Sequence, residues 1–279
     1  MSRINLRRSL VQSLVGLFPR LASMYRFVRD QREFMEEPPL TPWGFKLAGH
    51  AAMSQGDFEP VETELVRKIL PGVDVFVNVG ANVGYYCCHA LSMGKPIIAF
   101  EPIERNFRHL CRNIKANGWS GAELYPIALS NKIDILEIYG GNTGASLVKG
   151  WAGIPESYVN LVPSSTMDIV LSTRLCGKRT LILVDIEGAE RWMLEDASIM
   201  LSNNPKPIWI VEIAAKEHQS HQVKMNPNFL STFEIFFQNG YEAFNINQSL
   251  TPITITEVNQ IFSGESEPST HNFLFREPK

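Results

Sequence analysis

A chain of 279 residues, 44% of them hydrophobic, can bury one large core but cannot hold a string of domains. Its 26 basic and 29 acidic residues leave a formal charge of -3, which offers nucleic acid no general attraction and argues against a nucleic-acid partner. Cys87, Cys88, Cys111 and Cys176 show neither metal-ligand nor secreted-disulfide spacing, so buried, reduced thiols in a cytoplasmic protein are expected.

Residues 1–29 differ from the rest. They hold six arginines, Arg3, Arg7, Arg8, Arg20, Arg26 and Arg29, and no acid. Leu10, Leu14, Leu17 and Leu21 share one helical face, with Ser9, Gln12, Ser13 and Arg20 opposite. The longest apolar run, residues 14–18, is far too short to span a bilayer, and no small-residue cleavage site follows it. Such a helix can rest on an anionic membrane surface as a peripheral contact, or pack on the domain or a partner. Residues 33–39, charged and ending in Pro38-Pro39, read as a hinge, which divides the chain into an extension at 1–37 and a domain at 38–279 with its core at 61–250.

Trp43-Gly44-Phe45 and the stretch to Phe58-Glu59-Pro60 read as a lid or short-strand segment, followed by a helix over 61–70. Val75-Phe76-Val77 is a short apolar run of the kind buried on both faces of a parallel sheet, and Gly80 and Gly84 let the chain turn into a helix at about 83–93. A second strand over 97–101 ends in Glu101, where a carboxylate can accept both hydroxyls of a ribose. The turn Gly80-Ala81-Asn82-Val83-Gly84 lacks the third glycine of a dinucleotide fingerprint, and bulky Tyr85 and Tyr86 follow. A nucleoside without a pyrophosphate, S-adenosylmethionine, suits it better.

Phe107, Leu110, Cys111 and Ile114 sit at helical spacing before Gly118, and a third strand is expected over 122–128. Residues 133–139 alternate as an exposed strand should. The glycine-rich stretch 140–144 has no P-loop lysine, and precedes Ser146-Leu147-Val148 as a turn or substrate-side loop. Residues 163–171 lead into a short helix containing Asp168. A fourth strand over 181–185 runs into Asp185-Ile186-Glu187-Gly188-Ala189-Glu190, and a fifth over 208–213 carries Glu212, costly to bury unless something pairs with it. A helix over 227–239 turns Phe229, Leu230, Phe233, Phe236 and Phe237 inward, two strands follow at 241–246 and 272–275, and 264–270 between them reads as mobile.

Strands alternating with helices predict a doubly wound, mostly parallel α/β sheet with its ligand at the carboxyl ends of the strands. Residues 78–85, Glu101, 185–188 and Glu212 all fall at that edge. Here the sequence resembles the FkbM family of S-adenosylmethionine-dependent methyltransferases, through VNVGANVGYY, AFEPIERNFRHL with CRNIKANG, IALSN, VPSSTMDIVL, LVDIEGAERWML and IWIVEI in the family's order over about residues 75–215. Two departures stand out: Asn78 where the family more often has Asp, and Val184 where it commonly has Lys.

The resemblance implies a seven-stranded, Rossmann-like class I methyltransferase fold with an N-terminal helical extension. It implies a cofactor site of Asn78, Gly80, Ala81, Asn82, Gly84, Tyr85, Glu101, Pro102, Asn106 and Asp185, with Glu101 on the ribose and Asn106 near the adenosine. Asp185, Glu187 and Glu212 would face the methyl group and acceptor, with Ser146 and Glu212 as substrate contacts and a hydroxyl of a sugar, glycan or related metabolite as acceptor. An alcohol acceptor needs a base within hydrogen-bond reach. Asp185 is the first candidate, Glu187 and His218 the reserves. Asp185, Glu187 and Glu212 could instead hold a divalent ion, though no metal is expected, and His218 with His221 forms only an H-x-x-H pair. His50, His89, His109 and His271 show no motif. Two other readings stand beside the O-methyltransferase: a nicotinamide-dependent oxidoreductase supported by Glu101, and a non-catalytic protein that keeps the fold.

Overall fold

The computed structural model describes residues 34, 36–141, 143–219 and 223–278; the basic segment 1–29, Asn142 and His221 lie outside the described residues. The domain opens with a bridge between Leu40 and Lys46, then helix α1 (Ala51–Gln55). Helix α2 (Pro60–Ile69) starts on proline, whose missing N–H is no loss in a first turn. Next come β1 (Val75–Val79), α3 (Tyr85–Ser92), β2 (Ile97–Phe100), α4 (Glu104–Ala116) and β3 (Ala122–Tyr125). A small sheet interrupts: β4 (Ala128–Leu129), β5 (Asp134–Tyr139) and β6 (Val159–Ser165), in the order β4-β6-β5. The large sheet resumes through α5 (Met167–Leu175), β7 (Thr180–Val184), α6 (Glu190–Glu195), α7 (Ser198–Leu201) and β8 (Ile208–Glu212). Then follow α8 (Phe229–Gln238), β9 (Glu242–Asn245), β10 (Thr251–Ile253), α9 (Ile255–Ser263) and β11 (Asn272–Arg276).

The large sheet runs β10-β9-β11-β8-β7-β1-β2-β3. Its first turns go outward from β1 through β2 to β3, all parallel, and the chain then returns to pair β7 with β1 on the other side. Strand order therefore reverses between β1 and β7, which is where a doubly wound sheet opens a crevice. Strand β11 is antiparallel to both β8 and β9.

Alternation along each strand separates two cores. Val75, Val77, Val79, Ile182, Val184, Trp209 and Phe273 face α5–α9, whereas Phe76, Leu181, Leu183, Ile210 and Leu274 face α1–α4. All five residues of β1 and of β7 are buried, as unbroken apolar strands covered on both faces must be. The α8 aromatics dominate one side: Phe236 stacks on Phe275 at 3.8 Å and Phe233 meets Phe273 at 4.8 Å. Burying each such ring contributes on the order of 2 kcal/mol.

Several expectations need correction. The large sheet has eight strands, the seventh-strand pattern being extended by β10, a three-residue edge strand on β9. The expected third strand stops at Tyr125, because Ala128 and Leu129 turn away to pair with Ser164 and Ser165 in the small sheet. Helix α9 was not expected; a capping box of Thr254 and Glu257 starts it and Gly264 ends it. The Trp43–Phe45 stretch is no lid: Phe45 is buried against His89 and Trp119 on the outside of α3. Cys87 and Cys88 are buried free thiols, but Cys176 is exposed. Asp168 is structural, accepting the N–H groups of Ile199 and Met200 at 2.8 and 3.0 Å to cap α7. His89 and His109 are fully buried, and burial with the nearby Arg67 charge drives His89 down to about 3, so it is neutral. No helix among the described residues is long and apolar enough to cross a membrane.

Candidate active site

The crevice opens where β1 and β7 end side by side. Asp185 N–H donates to the Val79 carbonyl at 3.0 Å, and Gly80 passes so close that a Cβ there would lie 1.8 Å from the Asp185 carbonyl oxygen. With φ +79, Gly80 is glycine for conformation as well as contact. A crevice partly open to solvent follows. Gly80, Asn82, Glu101, Pro102 and Asn106 line one wall, and Asp185 and Glu187 another. The small sheet closes it with Ala128, Leu129 and Ile138, followed by Thr143, Ala145 and Leu147.

Glu101 is 4% exposed. Its Oε2 accepts the Asn82 N–H at 2.7 Å, and its Oε1 accepts the Ile103 N–H at 2.8 Å and Asn106 Nδ2 at 3.5 Å. Burial still lifts it to about 7, against the pull of those donors. Donors on both oxygens fix the carboxylate facing the cavity. The buried Oδ1 atoms of Asn82 and Asn106 have no partner. Acceptors held this way fit a ligand that brings hydroxyl and amine donors, as the ribose and base of a nucleoside do.

Of the other expected cofactor residues, Ala81, Gly84, Tyr85 and Asn78 do not line this cavity. Gly84 is left-handed at φ +90, starts α3 and packs on Leu110, where a Cβ would come within 2.5 Å. Tyr85 is 2% exposed, its hydroxyl bonded to Thr63. Asn78 is 1% exposed with Oδ1 near Cys87 Sγ at 3.5 Å and Nδ2 unpartnered.

Strand parity puts Asn78, Asp185, Glu212 and Asn272 on the α1–α4 face, a polar row across β1, β7, β8 and β11. Above it Glu59, left-handed at φ +40, accepts the Tyr86 O–H at 2.6 Å. Sequence reading gave neither residue a role: Glu59 lay in the stretch read as a lid or short-strand segment, and Tyr86 closed the glycine-turn motif only as a bulky residue. No salt bridge joins a described cation to Glu59, Asp185 or Glu212; carboxyls answer carboxyls instead. Burial first, then the charges of Glu212, Glu187, Glu59 and Glu190, holds Asp185 well above the usual carboxylate range. Burial and the charges of Glu187, Glu59, Glu190 and Glu62 push Glu212 up to about 9. Glu59 and Glu190 rise to about 7, chiefly through burial. Glu212 thus escapes the cost of a buried charge by staying protonated at neutral pH.

Glu187 has φ +55, and its Oε2 accepts Trp151 Nε1–H at 2.6 Å and stands 3.5 Å from His218 Nδ1. Ser146 and Glu212 are not on the cavity wall: Ser146 Oγ donates to the Glu187 carbonyl at 2.5 Å, and Glu212 lies beside Asp185. Among the described residues six non-glycine residues are left-handed, and Glu59, Asn82, Ala152, Glu187 and His218 are five of them. Asn82 and Glu187 line the cavity, and His218 and Ala152 lie behind Glu187; strain of about 1–3 kcal/mol each persists where surrounding contacts impose it, most often at functional sites. Among the described residues no group of His, Cys, Asp or Glu is arranged to hold a metal ion.

A model of the methyltransferase FkbM domain matches residues 78–243. No curated protein matches the chain. Similar solved structures include the SAM-dependent methyltransferase from Agrobacterium tumefaciens, at 11% identity and TM-score 0.43, over 85% of this chain and 65% of that one. The bifunctional kinase-methyltransferase WbdD is 12% identical at TM-score 0.45, over 89% of this chain and 46% of that one. The N-terminal domain of EvdMO1, solved in the presence of SAH and D-fucose, is 11% identical at TM-score 0.43, over 91% and 97%. This chain thus spans about two thirds of the first of these and under half of the second. The family match covers more than half of the chain and removes the nicotinamide-dependent alternative: the chain belongs to the FkbM family of S-adenosylmethionine-dependent methyltransferases.

Proposed function

We propose that the chain is an O-methyltransferase that moves a methyl group from S-adenosylmethionine to a hydroxyl of a sugar, glycan or related metabolite in the cytoplasm. The observation that carries the cofactor assignment is Glu101, a buried carboxylate braced by Asn82, Ile103 and Asn106 and turned into the cavity at the strand-order reversal. The cofactor supplies the electrophilic methyl carbon. Glu101 would accept the ribose hydroxyls, and Asn82 and Asn106 would accept from the donors beside them.

The acid row divides the acceptor chemistry. Burial and the neighbouring acids hold Asp185 well above the usual carboxylate range and push Glu212 up to about 9, which favours their hydrogen-bond-donating form over taking a proton from an alcohol. The base role passes from Asp185 to Glu187, which lines the cavity with His218 beside it. Placing the acceptor oxygen in line with the methyl group supplies much of the remaining acceleration.

Calorimetric titration with S-adenosylhomocysteine, with NADH as comparator and Glu101→Ala as control, tests the cofactor. Micromolar binding of the first, lost in the variant, is expected; binding of NADH alone would overturn the reading. Release of S-adenosylhomocysteine over a panel of free hexoses and 6-deoxyhexoses then tests the acceptor class, and turnover only with non-hydroxyl acceptors would overturn O-methylation.

A further inference from the structure

Trp151 belongs to no motif in the sequence, yet it touches each group on which the proposed base depends. Its ring lies against Gly188, where a Cβ would come within 2.5 Å, and Gly188 has φ +93, so only glycine leaves this seat open. The indole Nε1–H donates to Glu187 Oε2 at 2.6 Å, and the ring meets the His218 imidazole edge-on at 5.9 Å. The next residue, Ala152, donates its N–H to the His218 carbonyl at 2.6 Å. Earlier on the same segment, Ser146 Oγ donates to the Glu187 carbonyl and accepts the Val148 N–H at 2.9 Å. Residues 146–153 therefore hold both loops that carry the base, one after β7 and one after β8. Trp151 is 2% exposed, so its ring is not a platform for stacking a sugar; it acts on its neighbours.

We propose that Trp151 is a positioning residue for methyl transfer, an inference that rests on the reaction proposed above. A charge-assisted N–H···O bond occupies Glu187 Oε2 and fixes the plane of the carboxylate. Oε1 is left turned toward Gly144, whose Cβ would stand 3.9 Å away, on the side of the glycine-rich loop and the cavity. That is the oxygen able to accept the acceptor's proton. The left-handed backbone at Glu187, Ala152 and His218 would relax without this clamp, and the carboxylate would swing off the acceptor.

Trp151→Phe in the full chain removes the N–H donor together with part of the ring that lies on Gly188, so its loss of Tm is set against that of Glu187→Gln, which keeps the ring. With free hexoses and 6-deoxyhexoses as acceptors, kcat should fall about 10- to 100-fold, while KM for S-adenosylmethionine and affinity for S-adenosylhomocysteine stay within about two-fold. An unchanged kcat would overturn the proposal, as would parallel losses of kcat, cofactor affinity and Tm, which mark a residue that only fills space. A second readout needs no turnover. The indole ¹H–¹⁵N resonance that vanishes in Trp151→Phe should move upfield in Glu187→Gln, and a resonance that does not move overturns the clamp. Failure of the wild type to bind S-adenosylhomocysteine would instead sink the proposed function, leaving the clamp to be decided by the resonance.

Discussion

Two buried carboxyl groups on either side of one crevice are handled in opposite ways. Glu101 is surrounded by N–H donors, two from backbone and one from Asn106. Asp185 is surrounded by other acids, and its buried Oδ1 has no partner. Both groups rise above the ordinary range through burial, but Glu101 stops at about 7 because its donors pull it back. The Glu101 half is thus built to stay an acceptor for a neutral diol. The Asp185 half favours the protonated form, and in the function proposed above Glu187, bonded to Trp151, does the accepting.

The comparison can be broken at its seam. Gly80→Ala would drive a Cβ into the Asp185 carbonyl and force an L side chain to φ +79, so a loss of about 3 kcal/mol or more in stability is expected, read by urea denaturation. A variant as stable as wild type would mean that β1 and β7 do not meet as described. On the Glu101 side alone, Glu101→Ala removes the proposed ribose acceptor and frees the Asn82 and Ile103 N–H groups, and should weaken S-adenosylhomocysteine by about 100-fold in calorimetry.

The acid side should respond to pH instead. Glu212 binds its proton more tightly folded (about 9) than unfolded, so ionising it costs stability that accumulates as pH rises from about 4.5 to about 9. Glu212→Gln removes that cost: a gain of several kcal/mol is expected at pH 8.5 and little change at pH 5, by thermal denaturation at both pH values. A variant equally destabilised at both would show that the acid pairs favourably. The smallest effect is on cofactor affinity. If ribose needs the ionised Glu101, S-adenosylhomocysteine affinity should fall as pH drops below about 7, approaching ten-fold per unit, and Glu101→Gln should flatten the profile.

The sequence made the parallel half of the fold legible because strands buried on both faces leave unbroken apolar runs, as in 75–77 and 181–184. Gly80 and Glu101 were legible for a related reason: each does a job that few other residues can do. Helix α9 was not, since its polar composition disguises Val258 and Ile261 as the buried stripe. Gly84 and Tyr85 face the core and not the cavity because a helix starts there, which the spacing of the turn does not reveal. Glu59 and Trp151 meet Tyr86 and Glu187 only through packing across elements far apart in the chain. No local pattern announces such contacts.

Strand β11 sits between β8 and β9, although both precede it in the chain. During synthesis the ribosome delivers β8, α8 and β9 while the slot between the two strands is still empty. Each then presents a bare hydrogen-bonding edge, the kind of surface on which nascent chains aggregate or recruit chaperones. Asn272, the partner of Glu212 across the polar row, arrives on that same strand. Assembly of the acceptor side of the crevice is therefore among the last events in the birth of the molecule, well after the turn at Gly80 has emerged.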